Sequence, residues 1–139
     1  MNSPEKTGTR DDLRPGLEGQ ASTVVTDDLT APAVGSGTVA VYATPSLVAL
    51  MEKAAVACVE PYLAPGEASL GVHLEVSHTA ATPPGQTVSA RAVLTAVDGR
   101  KLTFAIEAQD AVEPIGKATH TRIVVDAARF KSKLAAKSG

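Results

Sequence analysis

The chain has 139 residues, enough for one domain with a real core and too few for two comfortable ones. Hydrophobic residues make up 44% and charged residues 20%, a globular balance, while aromatics are 3% with no Trp, so Val, Ala and Leu must fill the core. A formal net charge of -2 gives no broad basic surface to neutralise a phosphate backbone, which argues against nucleic acid as a partner.

Residues 1–17 place Pro4, Gly8, Pro15 and Gly16 among charges without any period and read as a loosely ordered arm, leaving 18–139 as a single domain. The polar stretch from Met1 to Gln20 has no apolar h-region, and no run in the chain approaches the ~20 apolar residues of a membrane span. The expectation is a soluble, cytoplasmic protein with no membrane partner.

Ala21 to Thr26 is rich in β-formers and predicts a first strand, ending at Asp27 and Asp28. Thr30 to Gly37 holds two glycines and a proline and reads as a flexible flap, and Thr38 to Ala43 predicts a short strand leading to Thr44 and Pro45. Thr caps helices and Pro suits a first helical turn, so a helix should begin there. From Ser46 to Val59 it is apolar nearly all the way round, and Pro61, Pro65 and Gly66 end it. Such a helix must be wrapped by the rest of the domain. Its one cysteine, Cys58, stands between Ala57 and Val59 with no basic neighbour and reads as core. A single cysteine makes no intramolecular disulfide, and no metal-ligand cluster accompanies it.

Four runs with strand character follow, Ala68 to His78, Gln86 to Val97, Lys101 to Asp110 and Ile115 to Val125, joined by short turn-rich links. Asp98-Gly99 is a hairpin signal. Asp126 to Lys137 predicts a short final helix with Lys131, Lys133 and Lys137 outward. One buried helix between early strands and a later antiparallel meander is the α+β plan of the hot-dog fold, a sheet curled around a central helix.

Glu52 stands in the middle of the apolar helix, where an ionised carboxylate needs a partner or must take up a proton, and this makes it a candidate base or nucleophile. The alternative is that Glu52 and Lys53 mark a narrow solvated stripe; Glu60, at the helix end, reads as surface. In the first of the four strand runs, His78 keeps the parity of Leu70, Val72, Leu74 and Val76 and should point inward, as a catalyst or as a satisfied core residue. His73 has the opposite parity and lies with Glu75. Thr44 has a sufficient structural role as a cap, yet it is eight residues from Glu52, about 80° around a helix. A hydroxyl, a carboxylate and an imidazole would then border one cleft if His78 lies nearby. Gly71 permits a bulge or a close backbone approach, with N–H groups able to polarise a ligand carbonyl, or fills a tight packing site. His120 and Arg122 share a face of the last strand, and Arg122 is a candidate for binding an acyl group, a phosphate or a carboxylate. No Gly-x-Ser-x-Gly elbow and no phosphate-loop signature is present.

Two stretches carry a family resemblance: Ala43-Thr-Pro-Ser-Leu-Val-Ala-Leu-Met-Glu-Lys-Ala-Ala55 and Gly71-Val-His-Leu-Glu-Val-Ser-His-Thr-Ala-Ala-Thr-Pro-Pro-Gly85. With Val59-Glu-Pro-Tyr-Leu-Ala-Pro-Gly-Glu67 between them, the chain resembles the fluoroacetyl-CoA thioesterase family of hot-dog proteins over residues 20–130. The resemblance implies an acyl-CoA thioesterase that uses Thr44, Glu52 and His78 as its catalytic set and Gly71 and Arg122 as substrate contacts. It implies no cofactor and no metal, and a homodimer with its sites near the subunit interface. One departure bears on substrate. The specialised family member carries phenylalanines before its catalytic Thr as a lid over the acyl pocket, whereas Asp28 to Ala43 here holds no Phe and only Tyr42 as an aromatic. The resemblance therefore implies a short acyl-CoA without singling out the fluoroacetyl ester. The rival readings are another hot-dog activity such as enoyl-CoA hydration, for which no Asp and His pair has the spacing, and a non-catalytic acyl-CoA-binding module.

Overall fold

A computed structural model describes residues 8–138 of the chain. The first seven residues of the expected arm lie outside the described residues. From Gly8 onward the segment lies against the domain: Leu13 is buried, Arg10 Nη1 is 2.9 Å from Glu67 Oε2, and the Gly16 N–H bonds the Leu94 carbonyl.

The strands are β1 (Glu18–Val24), β2 (Glu67–His78), β3 (Thr87–Asp98), β4 (Lys101–Gln109) and β5 (Pro114–Asp126). They form one antiparallel sheet in the order β1-β3-β4-β5-β2, so β1 and β2 are its edges. Period-two alternation decides which side faces the core. Val88, Ala90, Ala92 and Leu94 on β3, and Leu102, Phe104, Ile106 and Ala108 on β4, are all buried and point the same way. Gly99, at φ 60°, closes the two-residue turn between Asp98 and Lys101, as the sequence predicts.

Onto that buried face packs α2 (Thr44–Val59), through Leu47, Leu50, Met51, Ala54, Ala55, Cys58 and Val59. The helix comes very near β1, because a β-carbon at Gly19 would collide with the backbone of Ala54 and Cys58. The helix is not wrapped on every side. Pro45, Ala49, Lys53 and Ala57, four residues apart, form an exposed stripe flanked by half-buried Val48, Glu52 and Val56. A five-stranded sheet covers one side of a helix, and this stripe is what remains open in a single chain.

Two local expectations are corrected. The segment 38–43 is not a strand: it has no strand beside it, only an isolated bridge between Thr30 and Tyr42. Its backbone is satisfied piecemeal instead, with the Tyr42 N–H on the Thr82 carbonyl and the Ala43 N–H on the Leu29 carbonyl. Within the expected flap lies one short helical turn, α1 (Ala31–Val34), which ends at Gly35 in the left-handed region.

The parity of β2 is also different from a simple alternation. A bulge between Gly71 and His73 leaves Val72 without a partner and shifts the register against β5. Leu74, Val76 and His78 turn inward as expected, whereas Val72 is 59% exposed and the inward positions before the bulge are Ser69 and Gly71. After β5 the chain ends in α3 (Ala127–Ser138), which buries no residue and carries Lys131, Lys133 and Lys137 outward.

Candidate active site

The side chains singled out in the sequence gather in two constellations, one at each end of the α2 segment that separates Thr44 from Glu52. At the start of α2, Thr44 Oγ1 is 2.7 Å from His78 Nδ1. Thr44 is the first helical residue rather than the cap: Ala43 occupies the cap position and makes no side-chain bond. The hydroxyl is thus free of a capping role and bonds the imidazole instead. His78 is the last residue of β2, and the strand that turns it inward is fixed by its pairing with Gly116 on β5.

The His78 Nε2 atom is buried and has no hydrogen-bond partner among the described residues. Burial holds the imidazole below its usual value, against an opposing contribution from the Ala80 backbone. Burial therefore favours the neutral ring, which keeps a lone pair on one of its nitrogens. Beside it lies a cavity of about 230 Å³ whose walls are small and apolar, including Ala31, Val41, Ala80 and Ala81, with Thr44 and His78 on one side. Tyr42 and Ser36 also line it, the Tyr42 ring 1% exposed and its hydroxyl donating to the Ser46 carbonyl.

The second constellation surrounds Glu52. Arg122 Nη1 donates to Glu52 Oε2 at 3.1 Å, which gives the mid-helix carboxylate the partner it needs. The guanidinium is buried and held from behind, its Nε donating to Ser69 Oγ at 2.8 Å and its Nη2 to the Ser69 carbonyl at 2.9 Å. Glu52 keeps 41% of its side chain exposed, so the carboxylate is both anchored and reachable. Gly71 forms the wall here, where a β-carbon would lie 2.5 Å from Glu52 Oε2.

His120 completes the group and was visible in the sequence only as a residue sharing a face with Arg122. Its Nδ1 lies 2.7 Å from the His73 carbonyl, so Nδ1 carries the proton, and Nε2 accepts from Arg122 Nη1 at 3.1 Å. Burial keeps the ring below its usual value; the His73 carbonyl opposes that shift, and the Arg122 charge adds to it. The signal for His120 lay in β5, where Gly116, Ala118, His120, Arg122 and Val124 share the buried face and two of them are polar.

Within one chain, then, Thr44 meets His78, and Glu52 meets Arg122 and Gly71. Among the described residues Glu52 makes no hydrogen bond or ion pair with Thr44 or His78, and the eight residues between positions 44 and 52 span about 12 Å of helix. His73 faces outward and lies 3.4 Å from Glu75, as its parity predicts. Cys58 is core: its thiol points at the Leu17 carbonyl, and burial pushes it up to about 11. A larger concavity of about 690 Å³ opens on the outer face of the sheet among Gln20, Arg91, Glu107 and Lys117. It holds none of the candidate residues, and its Arg91 is already paired with Glu18 at 2.9 Å. No group of three or more His, Cys, Asp and Glu residues able to hold a metal occurs among the described residues, and no helix there is long and apolar enough to cross a membrane.

The fluoroacetyl-CoA-specific thioesterase family, FlK, matches residues 25–128 of the chain. The fluoroacetyl-CoA thioesterase of Streptantibioticus cattleyicolor is 48% identical over 98 residues, which make up 70% of this chain and 70% of that protein. A solved structure of the fluoroacetyl-CoA thioesterase FlK superposes with a TM-score of 0.87 at 40% identity, covering 91% of this chain and 98% of that one. A thioesterase superfamily member from Thermus thermophilus superposes with a TM-score of 0.84 at 27% identity, covering 91% and 93%. The fold is the α+β hot-dog fold that the sequence predicts.

Proposed function

The chain belongs to the fluoroacetyl-CoA-specific thioesterase family, and from that premise we propose that it hydrolyses a short acyl-CoA to the free acid and CoA, with Thr44, Glu52 and His78 as the catalytic set. The observation that carries this reading is the carboxylate of Glu52, bonded through one oxygen to a buried arginine and otherwise open, on a helix that is apolar around it. That arrangement presents a carboxylate oxygen at a surface where an acyl group can approach.

Two routes use it. In one, a Glu52 oxygen bonds the thioester carbonyl carbon, the C–S bond breaks, CoA leaves and takes up a proton, and water hydrolyses the resulting anhydride. In the other, Glu52 takes a proton from water as the water oxygen bonds the carbonyl carbon; the adduct collapses, and the departing CoA thiolate receives that proton. Backbone N–H groups near Gly71 hold the carbonyl oxygen in both. Thr44 orients His78, and the bare Nε2 of His78 receives and returns protons.

Arg122 acts in this scheme through Glu52, because each of its three nitrogens already donates to Ser69, His120 or the carboxylate. The cavity beside Thr44 and His78 suits an acyl group of few carbons, and the absence of phenylalanine from residues 28–43 favours a short acyl-CoA over selective use of the fluoroacetyl ester.

The active unit in this reading is a cytoplasmic homodimer in which residues 18–139 form one catalytic domain. The exposed stripe of Pro45, Ala49, Lys53 and Ala57 on α2 and the open edge of β2 support it. Positions 44 and 52 lie symmetrically about Val48, so two α2 helices crossing antiparallel there bring Thr44 and His78 of one protomer to the partner subunit's Glu52. The split between the two constellations is then a division of one site between two chains.

A panel of acetyl-, propionyl-, butyryl-, malonyl-, benzoyl- and fluoroacetyl-CoA with a thiol-detecting reagent tests the activity. Release is expected to be greatest with the short unbranched esters. Binding of these esters with no thiol release from any of them would overturn the reading in favour of a binding module.

A further inference from the structure

We infer that His120 is a positioning residue that directs Arg122 onto a single oxygen of Glu52 and so leaves the second carboxylate oxygen free to act on the thioester or on water. The inference rests on the thioesterase reading above and assigns a part to a buried group which that reading does not use.

A guanidinium has five N–H donors, and Arg122 has a partner for each of its nitrogens. Its Nε and Nη2 each donate to Ser69, and Nη1 carries two further hydrogens. One goes to Glu52 Oε2 at 3.1 Å and the other to His120 Nε2 at 3.1 Å. Among the described residues no hydrogen bond engages Glu52 Oε1. An arginine facing a carboxylate without a competing acceptor tends to bond both oxygens, which ties up both and lowers their basicity. His120 is that competing acceptor.

The imidazole performs this only in one tautomer, and the fold selects it. His120 Nδ1 faces the His73 carbonyl at 2.7 Å and must carry the proton, so Nε2 presents a lone pair. The carbonyl belongs to the residue just past the bulge that turns Gly71 toward Glu52, so one ring fixes both the strand irregularity and the arginine. The groups that face the ring are Arg122 on its own strand, Glu52 on α2 at 3.8 Å, the His73 backbone on β2 and the Phe104 ring on β4 at 6.0 Å between centroids. The charged pair thus lies on one side of the ring, and the Nδ1 bond holds it on the other.

The two ring nitrogens can be tested separately. His120→Asn retains a donor near the Nδ1 position and lacks the Nε2 acceptor, whereas His120→Gln reaches toward the Nε2 position with an amide oxygen. With acetyl-CoA, kcat of H120N should fall about tenfold or more with KM within about twofold, and H120Q should recover most of the loss at a similar melting temperature. Wild-type kcat in H120N, or an equal fall in both variants, would overturn the inference. If wild-type protein releases no thiol from any ester, the thioesterase reading fails, and crystal structures of the variants decide the positioning alone. A second Arg122 to Glu52 contact through Oε1 in H120N but not in H120Q supports it; an unchanged single contact in H120N refutes it.

Discussion

A β-carbon at Gly71 would stand 2.5 Å from Oε2 of Glu52, inside the distance at which real side-chain carbons are found. The bare strand position and the arginine-held carboxylate are therefore one unit. In Gly71→Ala the carboxylate must swing away from Arg122. Because the displaced atom is the end of a flexible, half-exposed side chain, the fold should lose less than about 1 kcal/mol. Turnover should fall about tenfold or more, since the reacting oxygen is misplaced. Paired kinetic and thermal-melt measurements check this, and wild-type turnover in the alanine variant would show that Glu52 does not act from the position seen here.

Which parts of this arrangement were legible in the sequence follows from how local their causes are. The central helix, the four later strands and the turn at Gly99 rest on period and turn chemistry, which act over a few residues, and all are found at or within a residue of their expected bounds. His78 was legible because its parity with Leu74 and Val76 is intact. Val72 was not: parity alone places it inward, and only pairing with β5 reveals the bulge that exposes it and turns Gly71 toward the site. The segment 38–43 has strand-forming residues but no neighbouring strand, a fact that no local pattern contains. Thr44 carries the chemistry of a cap, yet the helix begins at Thr44 itself, and the hydroxyl bonds an imidazole 34 residues away.

The two inward-facing histidines set a direction for stability against pH. His78 and His120 are both held below an ordinary value of 6.5, in each case chiefly by burial. The unfolded chain takes up protons near that ordinary value, while the native chain does so only at lower pH. Unfolding then binds protons, and stability is fully present above the unfolded value and lost as the pH falls toward and through the folded one. The melting temperature should be lower at pH 5.5 than at pH 7.5, and His120→Phe should reduce that difference by removing one of the two groups. An unchanged difference would show that His120 does not resist protonation in the native state.

Thr82 is fully buried, and its hydroxyl donates to Asp110 Oδ2 at 2.8 Å while its carbonyl accepts the Tyr42 N–H. Asp110 Oδ1 accepts the N–H groups of Val112 and Glu113, so one carboxylate ties the β4–β5 turn to the loop that follows His78. Thr82→Val should cost about 1 kcal/mol of folding stability, measured by urea unfolding, because a buried acceptor loses its donor. The Val112 N–H, followed by the Thr82 hydroxyl, holds Asp110 below the usual carboxylate value. Its contribution is present above the unfolded pKa and lost as the pH falls through the lower folded one, so Asp110→Asn should flatten the loss of stability on acidification. An acid limb as steep as that of the wild type would remove Asp110 from the account.

Complementation between two inactive chains separates a site shared across a dimer from a site contained in one protomer. Glu52→Gln and His78→Ala should each abolish most turnover as pure homodimers. If Thr44 and His78 work with the partner subunit's Glu52, a mixed dimer of the two variants has one site with both defects and one with neither. Random exchange in an equimolar mixture makes about half of the dimers mixed, so about a quarter of the wild-type activity should return. A site within one chain gives no recovery, because every chain then carries a defect in its own site. The same mixture, run through analytical ultracentrifugation, shows whether dimers form at all. Recovery near a quarter in a dimeric sample is expected, and a dimeric sample that stays inactive would place Glu52 and His78 in separate roles within one chain.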